Sequence, residues 1–395
     1  MIGAGGATLT SIKMGQEDYK GAQKVLGNVV LLDIGLGILF MILGLLFLDE
    51  ILFFFGASQD TLPYARDFMQ VILIGNTITH TYLGLNSVMR SSGNPQKAMY
   101  VTLSTVAINL VLAPIFIFVF KWGIRGAALS TIIAQFIALL IVIKHFCGEN
   151  TFPRFSRSIF KFDKRITYGI ISIGMAPFVL NSCACLVVVL INRALYLHGG
   201  DLAIASYGVI NRIVFVFAMI IMGLNQGMQP ITGYNYGAKQ YDRMLRSFYL
   251  TCLYATGVMA IIFVLGECFP RQITQIFTHD INLIEQTITP MRIICSTMLI
   301  IGFQMVAGNF FTSIGMAGKS IFLSMTRQVL FLIPLLLFVP LLFDNPILGV
   351  WWAIPISDAM AAITAAIMIG IAIRRFRGLI NEQEAWKVTC PPEPD

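Results

Sequence analysis

Residues 34–48, IGLGILFMILGLLFL, run without a single charged side chain, and similar runs recur along the whole chain. A helix that crosses the hydrocarbon core of a bilayer needs about 20 predominantly apolar residues. Full spans are expected near 29–55, 65–90, 98–120, 124–146, 166–196, 202–228, 245–266, 288–312, 320–342 and 349–373. Polar turns such as GASQDTLP, RSSGNPQK and FDNPILG separate them. Of the 395 residues, 57% are hydrophobic and 12% charged, whereas a soluble domain carries roughly 25% charged residues. No segment alternates polar and apolar residues as a barrel strand would. The fold class expected is an all-α integral membrane protein with about ten complete spans.

The net charge of +7 is a matter of topology before it is a matter of partners. Lys13, Lys20, Lys24, Arg90, Lys97, Lys144, Arg154, Arg157, Lys161, Lys164, Arg165, Lys239, Arg243, Arg246, Lys319, Arg374, Arg375, Arg377 and Lys387 fall in every second connection. The intervening connections hold only Arg66, Lys121, Arg125, Arg193, Arg271 and Arg292. The bias, about three to one, places the first set in the cytoplasm. Positive residues spread over short loops make no basic face, so nucleic acid is not an expected partner. The seven cysteines have no CxxC pair and lie mostly in apolar runs, so neither a disulfide framework nor a metal site is expected. HExxH, GxSxG and glycine-rich phosphate loops are absent, which argues against an enzyme.

The chain repeats itself. At a constant offset of 222, Gly5 meets Gly227, Thr10 meets Thr232, Gly15 meets Gly237 and Tyr19 meets Tyr241. At the same offset Gly93 meets Gly315 and Lys97 meets Lys319. The glycines at 15 and 237 lie on the same membrane side, so the repeat is parallel, about an axis along the membrane normal. The expected organisation is an N-terminal lobe at 1–146, a cytoplasmic linker at 147–165, a C-terminal lobe at 166–373 and a cytoplasmic tail at 374–395. The second half holds six spans, the first only four and the remnant of another. One to two further helices are therefore expected upstream, completing six plus six; a non-functional fragment is the alternative.

A six-plus-six parallel repeat resembles the multidrug and toxic compound extrusion (MATE) family. GGATLTSIKMGQEDYKGAQKVLGN, INRALYLHGGDLAIASYGVINRI, GLNQGMQPITGYNYGAKQYDR and GVWWAIPISDAMAA look like that family's helices and loops. The likeness is closest to the bacterial multidrug branch. It implies two lobes around a central cleft, and export of organic, mostly cationic and amphipathic compounds in antiport with H+ or Na+. It also implies alternating access of the lobes, a monomer in the bacterial inner membrane, and no cofactor beyond the coupling ion. The family's acids in the first and fourth helices of the second half have no counterpart, because 170–192 and 292–310 hold no Asp or Glu. A lipid-linked oligosaccharide flippase of the same superfamily is the alternative transporter.

Ionisable groups deep in a span are costly and usually face a cavity. Asp358 is such an acid, suited to cation binding or coupling, or to a structural pair with a base. Arg212 and Arg327 are its candidate partners, and either could instead extend its head group toward the interface. Asp33, about five residues into its expected span, reads as interfacial, and His80 as a packed histidine. Neutral amides can line a cleft or join helices: Asn76, Asn86, Asn109, Gln135, Asn181, Asn192, Asn211, Gln226, Gln229 and Gln304. Phe178, Phe215, Phe217, Met222 and Met305 suit hydrophobic cations. Pro177 invites a bend, and Gly223, Gly227, Pro230 and Gly237 close a helix at the expected cytoplasmic gate.

Overall fold

The computed structural model describes residues 1–55, 57–148, 151–156 and 159–389, the last six by backbone alone. Arg157, Cys390 and the Lys387 side chain lie outside the described residues. The chain divides into two compact units, the first Met1–Gly174, the second from Met175 onward.

The first unit contains α1 (Ile2–Gly15), α2 (Tyr19–Leu46), α3 (Leu48–Phe54), α4 (Leu62–Ile74), α5 (Asn76–Ser91), α6 (Pro95–Pro114) and α7 (Gly123–Phe146). Asp18 caps α2 by accepting from the Gly21 N–H. Pro95 opens α6 with a backbone angle already suited to a helix. α2 packs along α5 and α1, and α7 along α5 and α6. Val25, Leu26, Val29, Leu85, Val88, Val142 and Phe146 form the core.

After α7 the chain returns as a strap along α2. Asn28, fully buried, holds it. Its Nδ2 donates to the carbonyls of Lys24 (2.9 Å) and Lys161 (3.3 Å). Its Oδ1 accepts from Asp163 N (3.0 Å) and Thr167 Oγ1 (3.2 Å). Both ends of a buried amide are thereby answered, as burial requires.

The strap leads into α8 (Lys164–Gly237), whose 74 residues are interrupted by non-helical angles at Gly200, with φ 66°. That conformation penalises any residue with a Cβ. The second unit continues with α9 (Tyr241–Cys268), α10 (Pro270–Phe277), α11 (Ile281–Cys295), α12 (Met298–Ser313), α13 (Ala317–Met325), α14 (Ile333–Phe338) and α15 (Pro346–Thr389). A π-helical segment, Thr326–Leu332, joins α13 to α14. α12 packs on α9 and α15, around Leu195, Phe248, Phe310, Phe311 and Trp351.

Among the described residues, seven helices are long and apolar enough to cross a membrane, or eight if α11 and α12, bent by 51°, make one span. α8 alone covers the expected spans 166–196 and 202–228, with Gly200 between them. The expected span 65–90 is the pair α4 and α5, divided at Gly75. Phe54, Leu110 and Leu342 are exposed, as lipid-facing side chains are.

The 222-residue offset extends from sequence to architecture. α2 and α9 begin at Tyr19 and Tyr241 and both run 28 residues. α5 and α12 cover 76–91 and 298–313, and α6 and α13 begin at 95 and 317. Glu17 (φ 60°) and Lys239 (φ 57°) both adopt left-handed turns after their helices, as do Gly93 (φ 87°) and Gly315 (φ 76°). Gly44 of α2 abuts Leu73, and Gly266 of α9 abuts Cys295. Helix start, turn and close contact recur at one spacing although most side chains differ, and the Asp18 cap has no counterpart at Gln240.

Candidate functional site

The second unit brings a buried acid and a base together. Asp358 lies on α15, its side chain 4% exposed. Arg327 is the second residue of the π-helical segment, and its Nε donates to Asp358 Oδ1 at 2.7 Å. Ser357 Oγ donates to the Arg327 carbonyl at 2.8 Å. A π segment displaces backbone groups from the ordinary helical ladder, and such segments are frequent at functional sites. Here the hydroxyl of one helix answers a carbonyl of the other, so side chain and main chain of Arg327 are held from α15. Tyr207 of α8 lies within electrostatic reach of both charges. Its ring meets that of Trp351 at 6.4 Å between centroids. Trp351 stands seven residues, or about two helical turns, before Asp358 and so shares its face.

Burial of two charges is tolerable when each has its partner and further hydrogen bonds, and breaking one side exposes the full desolvation penalty of the other. The arrangement is an internally neutral polar node inside an apolar unit. Of the two bases the sequence offers, Arg327 is the partner. Arg212 is exposed and forms no ion pair among the described residues.

A second polar seam joins α8 to α12. Asn309 Nδ2 donates to the Asn225 carbonyl (3.0 Å), and Asn225 Nδ2 to the Met305 carbonyl (3.5 Å). Asn225 Oδ1 and the Oε1 of buried Gln304 have no hydrogen-bond partner among the described residues. Neither Asn225 nor Asn309 stands out in sequence, because an amide in an apolar run reads the same whether it faces lipid, core or cavity.

The other candidates are dispersed. Asn181 is exposed and donates to the Pro177 carbonyl at 2.7 Å; Asn192 is half-buried, Asn211 and Gln226 exposed. Pro177 and Pro230 sit within α8, whose non-helical angles fall at Gly200. Gly227 is exposed, and Gly237 is buried at the last position of α8. Phe178, Phe215 and Met222 are exposed, while Phe217 and Met305 pack on the core of the second unit. In the first unit Asn76 donates to the Gly37 carbonyl, Asn86 to Thr102, and Asn109 to Thr131. These amides join helices. Among the described residues no cluster of His, Cys, Asp or Glu is placed to hold a metal.

The interfacial reading of Asp33 is corrected. It is the fifteenth residue of α2, which begins at Tyr19, and it is 3% exposed. The helix runs through Lys20 and Lys24, which sets Asp33 fifteen residues along it rather than the five that apolarity alone suggests. Counting from the Asp18 cap would have found it.

The MatE family pattern matches residues 1–115 and 177–338. Multidrug export protein MepA of Staphylococcus aureus (strain MSSA476) is 26% identical over 370 residues, covering 93% of this chain and 81% of that protein. The MepA of Staphylococcus haemolyticus (strain JCSC1435) is 27% identical over 369 residues, with 93% and 80% covered. Among solved structures, a MATE crystal structure in the bent conformation superimposes with a TM-score of 0.90 at 21% identity, covering 96% of this chain and 84% of that one. A MOP superfamily transporter from Pyrococcus furiosus, described as having reverse polarity of its binding pocket, gives 0.89 at 22% identity, with 95% and 84% covered.

Proposed function

Because the chain belongs to the MatE family, a family of multidrug efflux transporters, we propose that it exports organic, mostly cationic and amphipathic compounds in antiport with H+ or Na+. It is a multi-pass protein of the bacterial inner membrane. Alternating access of two lobes is the mode of transport in this reading. The working form is a monomer that needs no cofactor besides the coupling ion.

The observation that carries the reading is the likeness to a multidrug export protein over 93% of the chain. The polar groups inside the second unit support it. Asp358 with Arg327, and Gln304 with Asn225, put hydrogen-bonding capacity at membrane depth, where it is expensive unless used. A lipid-linked oligosaccharide flippase would need a basic lining to hold pyrophosphate. Arg327 is neutralised by Asp358, which weighs against that reading.

The test is ethidium retention in a drug-susceptible bacterial host expressing the chain. Expression lowers intracellular dye, and collapsing the proton gradient or replacing Na+ identifies the driving ion. Unchanged retention with the protein confirmed in the membrane overturns export. Movement of a lipid-linked precursor without dye efflux favours the flippase.

A further inference from the structure

Within the second unit, α8 leaves a polar face uncovered at membrane depth. Beyond Gly200 the helix is two-sided. Ser206, Ile210, Ile213 and Ile221 are buried, whereas Gly208, Asn211, Arg212, Phe215, Met219 and Met222 are exposed. Their spacing of three to four residues makes the exposed set one continuous stripe. A Cβ added at Gly208 would meet nothing within 4 Å, so nothing is packed against the stripe there. Neighbouring helices of the same unit present a different surface. The large exposed side chains of α9 include Leu253, Tyr254, Ile261 and Val264, and those of α15 include Ile363, Ile367 and Ile371. Those faces suit lipid chains, whereas a face carrying an amide and a guanidinium does not.

Arg212 is deep. Asp358 stands fourteen residues after Asp344 and sixteen before Arg374, the nearest charged residues on either side in sequence. Tyr207 reaches Asp358 and Arg327 from α8, and Arg212 follows five residues later, about 7.5 Å along the helix. Helical side chains lean toward the N-terminus, which carries the guanidinium back toward the level of Tyr207 and away from the basic end at Lys239. An ionised arginine at that depth needs water or an anion beside it. The chain offers no anion among the described residues. Arg212 forms no ion pair there, and Asp358 is committed to Arg327. Asp201, the one acid of α8, is eleven positions away, about 16 Å along the helix.

We infer that Arg212 is an anion-recognition residue on a cargo-facing stripe of α8, and that the compounds exported include amphiphiles bearing a carboxylate or sulfonate beside an aromatic body. A planar guanidinium donates two parallel hydrogen bonds to such a group, and Asn211 adds a neighbouring amide. Phe215, Met219 and Met222, one to three turns further along, give the apolar part an aromatic and polarizable bed. One guanidinium matches one oxyacid group; a pyrophosphate would need several bases. The inference rests on the exporter reading and names a substrate class for it.

The test uses the full chain returned to phosphatidylcholine vesicles, with rhodamine B, a zwitterion carrying a benzoate, and its ethyl ester, the same dye without the carboxylate. The wild type moves both. In Arg212→Gln the ratio of rhodamine B to ester transport falls at least about 10-fold, as the loss of one charged hydrogen bond predicts, and Arg212→Lys restores part of it. An unchanged ratio overturns the inference, whether both rates fall or neither does. Wild-type protein that moves the ester but not rhodamine B also overturns it. A fall that appears only when phosphatidylglycerol is added gives Arg212 to a lipid head group and overturns the cargo assignment. If the wild type moves neither dye, the exporter reading fails, and fluorescence anisotropy of the two dyes with the purified chain still decides whether Arg212 holds an anion. Rhodamine B binding weakened relative to the ester in Arg212→Gln supports it, and an unaltered preference overturns it. If Arg212→Gln does not assemble, Arg212→Lys, which keeps the charge and loses the planar fork, is compared with the wild type. A lowered ratio supports the inference and an unchanged one overturns it.

Discussion

Arg327 and Asp358 lie 31 positions apart in sequence and share a hydrogen bond of 2.7 Å inside the second unit. Losing the base strands a carboxylate that is 4% exposed, whereas losing the acid strands a guanidinium still 30% exposed. Arg327→Met is expected to destabilise by about 3 kcal/mol, with Asp358→Asn costing less. The double substitution recovers part of the loss. Thermal unfolding in detergent of both single variants and the double variant measures the coupling. Additive losses would mean that the bond contributes nothing of its own.

Asp18 gives the first unit a pH dependence. The Lys13 ammonium at 2.8 Å and the Gly21 N–H, also at 2.8 Å, hold its carboxyl below the usual carboxylate range. A folded-state value lower than the unfolded one adds stability that is present above about pH 4 and disappears as pH falls through the folded value. Asp18→Asn keeps a capping oxygen but loses the charge. Its deficit at neutral pH is expected to be under about 1 kcal/mol, because the pair is partly exposed. The deficit vanishes in acid, which melting curves at a series of pH values read directly.

Asn28 determines whether the strap after α7 stays in place. Asn28→Ala removes hydrogen bonds to Lys24, Lys161, Asp163 and Thr167 together. It leaves the part-buried Lys161 carbonyl and Asp163 N–H without this partner, at a cost of about 2–3 kcal/mol. Limited proteolysis between Cys147 and Asp163 should become faster in this variant while cleavage elsewhere is unchanged. Equal protection in both proteins would place the anchor elsewhere.

The duplicated turns are expected to respond alike. Gly93 and Gly315 both have positive φ, and an added Cβ at Gly93 meets nothing within 4 Å. Gly93→Ala therefore pays only the backbone penalty, about 1–2 kcal/mol. Gly315→Ala is expected to lose the same amount. Melting temperatures of the two variants compare them, and a large difference would mean that the turns carry different strain.

Much of the architecture is legible in the residues. Long apolar runs give the helices, Gly15, Gly237, Gly93 and Gly315 give the turns, and the common offset gives the repeat. Helix ends are less legible, because the first turns of α2 carry lysines that hydropathy treats as loop. That is how Asp33 comes to look shallow. Asp358 is visible as a buried acid, since a charge within PISDAM has few innocent explanations. Its partner is not visible, because the choice between Arg327 and Arg212 depends on which face each helix turns inward. Ser357 and Tyr207 give no signal at all; their roles arise from the π segment, for which the sequence around Arg327 has no distinctive mark.

The offset that aligns the helices does not align the acids. Position 33 corresponds to Ala255 and Gly84 to Val306 at that offset; where GIRGAA (123–128) answers GVWWAI (349–354) the spacing widens to 226, and position 358 corresponds to Ile132. Each half thus keeps the common frame while carrying a private ionic feature. Substitutions that retune one acid leave its twin position silent, so each half can change its ionic feature without losing the shape the two share.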